Sequence, residues 1–282
     1  MDFERIGIVG LGLIGGSLAL AVRRAWPGAT IVGVDIDEGV VREARERNLV
    51  SDASTDLASL ADADLVVLAA PVRANIAALP AVAPGTREGC LLTDVGSTKR
   101  GILAAARSAG CHRRFVGGHP LAGAASSGLA DVSADLLTGR PWILTPENDA
   151  PPALVARLER FLAAIGAVPR TMKADEHDRL MAVVSHLPQL VASTLMQVAG
   201  EMAGEEGLAL AGSGLADTTR LASSPSGIWR DICRSNADHL APALQQLIDA
   251  LERLRDDLPH GDHLERVFAA ARGWRDRLTP RR

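Results

Sequence analysis

The chain has 282 residues, of which 47% are hydrophobic and 23% charged, with 30 basic against 34 acidic side chains for a net charge of −4. Such a chain is globular and long enough for two domains, which excludes fibrous and extensively disordered classes. Mild acidity, the lack of a Lys/Arg cluster and the scarcity of aromatics (four Trp, four Phe, no Tyr) argue against nucleic acid as a partner. Cys90, Cys111 and Cys233 share no metal-ligand spacing; they read as free thiols in the cytoplasm, and no metal is expected. Residues 6–22 are uncharged, but this run holds five glycines and follows Asp2 and Glu4. It is also too short for a span, so neither a signal peptide nor a membrane helix is expected.

In chain order, Arg5–Val9 reads as a strand, 15–24 as a helix, Thr30–Val34 as a second strand and 38–48 as a charged helix. Further strands are expected over 64–69, stopped by Pro71, and over 90–93 and 114–116, with a helix over 99–109. A strand over 142–145, a helix over 153–165 and a strand over 168–172 finish the sheet. Strands separated by helices of this length are βαβ units and make a parallel sheet; near-continuous apolar strands fit a sheet covered on both faces. After Lys173 only helical periodicity remains, over 180–201, 205–211, 228–255 and 263–277. The expected fold is an α/β Rossmann-type parallel-sheet domain over 1–172, followed by an all-α helical domain over 173–282.

Gly10-Leu11-Gly12-Leu13-Ile14-Gly15 follows the first strand and opens the first helix, and Asp35 ends the second strand 20 residues past Gly15. This is the dinucleotide fingerprint in its proper context. The glycines permit a tight turn and close backbone approach, so that a pyrophosphate rests on the helix N-terminus. Asp35 accepts hydrogen bonds from ribose hydroxyls and repels a 2′-phosphate, which favours NAD over NADP. Cofactor contacts are expected at Gly10, Gly12, Leu13, Ile14, Gly15 and Asp35, at Pro71 after the third strand and at Asp94 after the fourth.

Three segments, Ala70-Pro71-Val72, Asp94-Val95-Gly96-Ser97 and Gly118-His119-Pro120, come directly after strands and so converge on one sheet edge. His119, read as a loop residue after two glycines, is a general base or hydrogen-bond acceptor. In Ser185-His186-Leu187-Pro188 the proline kinks a helix, and His186 is either aimed into a cleft or merely polar in a kinked core helix. Arg220, after Asp217-Thr218-Thr219, either clamps a carboxylate or bridges helices at the surface. Asp175-Glu176-His177-Asp178 has a metal-like composition, but adjacent residues diverge on a helix, so a solvated first turn is expected.

Together these motifs make the chain similar to the prephenate/arogenate dehydrogenase family of tyrosine biosynthesis. The likeness runs through Gly10-x-Gly12-x-x-Gly15-Gly16-Ser17, Thr93-Asp94-Val95-Gly96-Ser97-Thr98-Lys99 and Gly117-Gly118-His119-Pro120-Leu121-Ala122-Gly123. It continues through Ser185-His186-Leu187-Pro188, Asp217-Thr218-Thr219-Arg220 and Ile228-Trp229-Arg230-Asp231-Ile232. The resemblance implies that His119 is the catalytic base and that Ser97 positions it and the substrate hydroxyl. His186 and Arg220 hold substrate carboxylates, Asp175 gates the cleft, and the helical domain forms a homodimer. It implies NAD-dependent oxidative decarboxylation of prephenate to 4-hydroxyphenylpyruvate; the alternative is arogenate, or both substrates. Ala124-Ala125 stands where many members carry a polar pair, and Gln189 where many carry His. Two rivals are a β-hydroxyacid-type dehydrogenase, against which the lack of any Lys after Lys173 counts, and a non-catalytic NAD-sensing dimer.

Overall fold

The computed structural model describes residues 3–122 and 128–278, so Gly123 and the Ala124-Ala125 departure lie outside the described residues. Eight strands form one sheet in the order β3-β2-β1-β4-β5-β6-β7-β8. They are β1 (Arg5–Val9), β2 (Thr30–Val34), β3 (Asp52–Ser54), β4 (Leu65–Leu68), β5 (Leu91–Asp94), β6 (Phe115–Pro120), β7 (Pro141–Pro146) and β8 (Val168–Thr171). All neighbours pair in parallel except β6 with β7, which pair antiparallel with His119 opposite Ile143.

Side chains alternate between two cores because successive residues of a strand face opposite ways. Leu65 and Val67 of β4 enter one core, with α1 (Leu13–Ala25) and α5 (Pro152–Ala164). Val66 and Leu68 enter the other, with α3 (Val72–Gly85) and α4 (Arg100–Ser108). Between β1 and β2 the chain order turns outward one way, and between β1 and β4 the other. The crevice beyond the carboxyl ends of β1 and β4 is therefore the ligand site of an open sheet.

Two sequence expectations change here. Asp52-Ala53-Ser54 forms an edge strand that its small, polar residues did not announce. His119 is a strand residue rather than a loop residue, because the antiparallel partner β7 extends the ladder through Pro120.

Beyond β8 the chain is helical: α6 (Ala174–Met181), a π turn over Ala182–His186, α7 (Leu187–Leu208), α8 (Ser213–Thr219), a 3-10 turn over Arg220–Ser223 and α9 (Ser226–Ser235). The kink expected at Pro188 is accommodated by the π turn, which leaves the proline in the first turn of α7, where its missing N–H costs nothing. The single helix expected over 228–255 is two, broken at Asn236. Compactness divides the chain at that break, into Met1–Asn236 and Ala237–Arg282. The second unit holds α10 (Ala237–Asp257) and α11 (Asp262–Leu278); the Asp257 carboxylate accepts the N–H groups of His263 (2.7 Å) and Leu264 (3.0 Å) at the start of α11. No helix among the described residues is long and apolar enough to cross a membrane.

At the amino end of the sheet, Asp64 Oδ2 accepts the N–H groups of Glu4 (2.7 Å) and Arg5 (2.8 Å), and its other oxygen meets the Arg87 guanidinium. The side chain thus starts β1 and β4 together. Asp64→Ala should lower unfolding free energy by about 1.5–3 kcal/mol, the worth of hydrogen bonds to a charged group. A urea midpoint equal to the parent's would exclude this role.

Candidate active site

The glycine turn is built as a cradle. Gly10 has φ +93°, and a Cβ there would stand 2.6 Å from the Ala70 nitrogen, so only glycine lets β1 turn against the end of β4. A Cβ on Gly15 would strike the Gly10 carbonyl, whereas one on Gly12 meets nothing within 4 Å. Gly12 thus leaves open the space in front of α1, whose N-terminus has no side-chain cap. Those unpaired N–H groups and the helix dipole suit a pyrophosphate. Asp35 Oδ2 accepts the Leu11 N–H (2.8 Å) and Oδ1 accepts the Asp37 N–H (3.1 Å), which ties the end of β2 to the turn. Buried Asn75 fixes the neighbouring loop, donating to Leu68 O (3.0 Å) and accepting from Ala70 N (3.1 Å).

A cleft of about 730 Å³ opens from this cradle. Its walls include Gly12, Leu13, Ile14, Pro71, Ser97 and His119 on the sheet side, and Ser185, Gln189, Arg220 and Trp229 on the helical side. The segments expected to converge therefore do converge. Among the described lining residues, Arg220 is the one formally charged side chain.

His119 is 9% exposed, and its Nδ1 lies 2.8 Å from His177 Nε2. The second nitrogen of His177, Nδ1, lies 2.8 Å from Asp178 Oδ1. A carboxylate only accepts, so it assigns the protons along this chain. His177 donates from Nδ1 and accepts at Nε2, His119 donates from Nδ1, and His119 Nε2 keeps its lone pair. Burial, then the nearby His177, Lys99 and His186, hold His119 well below the usual histidine range. Burial also works to raise Asp178, but the hydrogen bonds from His177 and from the N–H groups of Arg100 and Lys99 outweigh it and hold the carboxyl below its ordinary value.

This chain corrects the reading of residues 175–178. His177 and Asp178 have no exposure, because the buried face of α6 docks on the N-terminus of α4: Asp178 accepts from Lys99 N (2.7 Å) and Arg100 N (3.0 Å). Among the described residues no group of three His, Cys, Asp or Glu side chains is arranged to hold a metal. Asp175, expected at the cleft, is not among the residues that line it; its carboxylate lies 3.6 Å from Arg100 Nη1 and is 68% exposed.

Asp94 is also corrected. It is buried, with Oδ1 accepting Gly118 N (3.0 Å) and Oδ2 accepting Gly96 N (2.8 Å) and pairing with Lys99 Nζ. Both oxygens are taken inside the protein, so it grips the site from behind and does not line the cleft.

His186 is fully buried by the π turn, behind the cleft wall, with its ring 6.1 Å from that of Trp229. Its Nδ1 lies 3.2 Å from Asn236 Nδ2, which also donates to the Asp178 carbonyl (2.7 Å). Its Nε2 is buried with no hydrogen-bond partner among the described residues. Burial brings its pKa down to about 4, so it is neutral. Gln189 joins α7 to the turn that carries Arg220, donating to Leu221 O (2.7 Å) and accepting from Ser224 Oγ (3.3 Å).

Strand order, glycine cradle and a cleft with a histidine on its wall are those of a nucleotide-binding dehydrogenase. The family described as prephenate dehydrogenase, nucleotide-binding domain, matches residues 18–170, and the one described as prephenate dehydrogenase, dimerization domain, matches 173–269. A prephenate dehydrogenase of Bacillus subtilis is 34% identical over 285 residues, spanning 99% of this chain and 77% of that protein. A cyclohexadienyl dehydrogenase of Zymomonas mobilis is 33% identical over 94% of this chain and 93% of its own. The solved prephenate dehydrogenase of Aquifex aeolicus, in complex with hydroxyphenyl propionate and NAD+, superposes with a TM-score of 0.92 at 28% identity, over 99% of each chain. The chain belongs to the prephenate dehydrogenase family.

The buried neutral histidines set a pH dependence. His119 and His186 titrate lower folded than unfolded, so the unfolded chain takes up protons that the native state refuses. Their contribution is whole above the unfolded histidine pKa near 6.5 and is lost as pH falls from there towards about 4. Unfolding free energies from urea titrations should drop over that window, by up to about 1.4 kcal/mol per pH unit for each histidine. His186→Asn should flatten the slope; an equal slope in parent and variant would remove His186 from the account.

Proposed function

We propose that the protein oxidises and decarboxylates prephenate with NAD, forming 4-hydroxyphenylpyruvate, and does so as a cytoplasmic homodimer. The observation that carries this reading is the Asp178–His177–His119 chain, which leaves His119 Nε2 as a proton acceptor on the wall of a cleft that begins at the glycine cradle. When bound, NAD supplies the hydride acceptor. His119 Nε2 takes the proton of the 4-hydroxyl, and Ser97, which lines the same cleft, orients that hydroxyl. The positive charge that results on His119 is shared through Nδ1–H with His177 and meets the Asp178 carboxylate. Arg220 holds a substrate carboxylate and so presents one ring face to the cofactor. Loss of carbon dioxide from the ring carbon opposite the hydroxyl makes the ring aromatic. His186, neutral and fully buried behind the cleft wall, braces that wall through Asn236 instead of holding a substrate carboxylate. Gly10, Gly12, Leu13, Ile14, Gly15 and Pro71 hold the dinucleotide, and Asp35 its ribose. Exposed Val198 and Met202 on α7, and Leu251, Phe268 and Trp274 on the terminal helices, offer apolar surface for a subunit contact.

Arogenate is the second reading, since a cyclohexadienyl dehydrogenase is among the relatives. Its ammonium needs an anion, and no carboxylate occurs among the described lining residues or in the sequence over 123–127. That favours prephenate. NADH formation with prephenate and with arogenate, and with NADP in place of NAD, tests the assignment. Greater efficiency with arogenate would reverse the choice of substrate.

His119→Asn should fold and bind NAD while turnover falls by about two to four orders of magnitude. The parent's rate should decline on the acid side at a pH below the ordinary histidine value, because His119 is held low. Survival of that acid limb in the variant would give the base role to another group. Arg220→Ala should raise KM for prephenate roughly tenfold, the low end for a charge-assisted hydrogen bond at an exposed site, and leave KM for NAD unchanged. An unchanged KM for prephenate would make Arg220 structural.

A further inference from the structure

The peptide before His119 is held in an unusual way. On one side β6 pairs with β7 as far as Pro120, but on the other its ladder with β5 is registered only at Phe115 and Val116. Beyond Val116 an ion pair replaces the ladder. Asp94 Oδ1 accepts the Gly118 N–H (3.0 Å), and Lys99 Nζ donates to the Gly118 carbonyl (2.6 Å), while Lys99 and Asp94 also bond each other. Lys99 and Asp94 are 0% and 1% exposed. There is no slack in the peptide they grip. A Cβ on Gly118 would stand 2.8 Å from Trp142 Nε1 and 3.0 Å from Thr93 Oγ1, and one on Gly117 3.4 Å from the Lys99 stem.

Stability does not account for such a pair. Taking both charges out of water cancels most of their attraction, and an apolar pair of the same volume often serves as well. We propose that the Asp94–Lys99 pair is a positioning device for His119: by gripping the N–H and the carbonyl of Gly118 it fixes where the imidazole stands in the cleft. Neither residue touches the reacting atoms, and this role rests on the reading of His119 as the base.

The pair has an electrostatic side as well. The groups that face His119 are His177 and, through it, Asp178 from α6, His186 from the π turn, Lys99 and Asp94 behind it, and Arg220 across the cleft. Lys99 is one of the cations that disfavour the imidazolium form, so its charge is read in the titration of His119.

The test uses Lys99→Met, Asp94→Asn and the double variant in the full chain, with 15N-histidine NMR titration of the substrate-free protein beside steady-state kinetics. In Lys99→Met the carboxylate is left alone, and His119 should protonate at higher pH than in the parent. In Asp94→Asn the cation is left, and that titration should not rise. The double variant leaves no lone charge in the core; its His119 titration should stay near the parent's while kcat falls about a hundredfold, the cost of a misplacement near 1 Å, with KM for NAD unchanged. Parental kcat in the double variant would overturn the proposal, as would an unmoved His119 titration in Lys99→Met. So would failure of the double variant to fold, which would make the pair a requirement of the sheet. A parent protein inactive on prephenate would instead sink the functional reading, and the titration, which needs no substrate, would still report on the clamp.

Discussion

A carboxylate buried away from water must be met by donors, and Asp178 is met from three directions. The backbone N–H groups of Lys99 and Arg100 come from the N-terminus of α4, the Arg100 Nε approaches at 3.3 Å, and His177 Nδ1 comes from its own helix. Ion burial costs several kcal/mol unless it is answered in this way, and the helix N-terminus adds a favourable dipole. Satisfying this one charge seats α6 on α4, which ties the first helix after the sheet to the sheet itself. It also fixes the proton on His177 and, one ring further, on His119. Through its carbonyl the same residue holds Asn236, and Asn236 holds His186.

The burial that keeps His119 unprotonated also makes it a weaker base than a histidine in water. The design answers this weakness at the other nitrogen. As a proton arrives at Nε2, the Nδ1–H bond to His177 shortens the electrostatic distance to an anion that is already in place and already desolvated. In the proposed role as base, His119 has behind it His177 and the Asp178 carboxylate, which an isolated buried histidine lacks.

What the sequence made legible was whatever depends on neighbours along the chain. The glycine turn, its helix and Asp35 follow local rules, as do the apolar strands, and the loops after β4 and β5 were placed correctly by topology alone. What it concealed depends on packing between distant segments. An amphipathic argument about α6 in isolation puts residues 175–178 in solvent, because nothing local reveals that α4 presents its bare N-terminus to them. The signal was available in part: His177, Asp178 and Met181 share one face, and that face continues to Ala182 and His186 through the π turn. Asp94 misled for a related reason. An acid at the carboxyl end of a strand points to a ligand by pattern, yet its oxygens are consumed by Gly96, Gly118 and Lys99. The place of His119 at the sheet edge was legible from its context of glycines and proline, although that context was read as a loop and is a strand.

The π turn over Ala182–His186 carries a consequence for how this chain tolerates change in length. A π turn is a helix with one residue too many, and each residue of a regular helix advances by about 100° around the axis. The wider π turn spreads one full rotation over an extra residue, so that residue is absorbed there and the segments before and after it keep the relative phase of a regular helix. His177 and Asp178 lie before the turn, and Gln189, with its grip on the Leu221 carbonyl, lies after it. The turn therefore holds the extra residue without rotating the half that carries His177 and Asp178 against the half that carries Gln189. Removing one residue at the turn should return it to α geometry with both halves still in phase, whereas a residue added or lost elsewhere along the helix has no such outlet and turns one half against the other by about 100°.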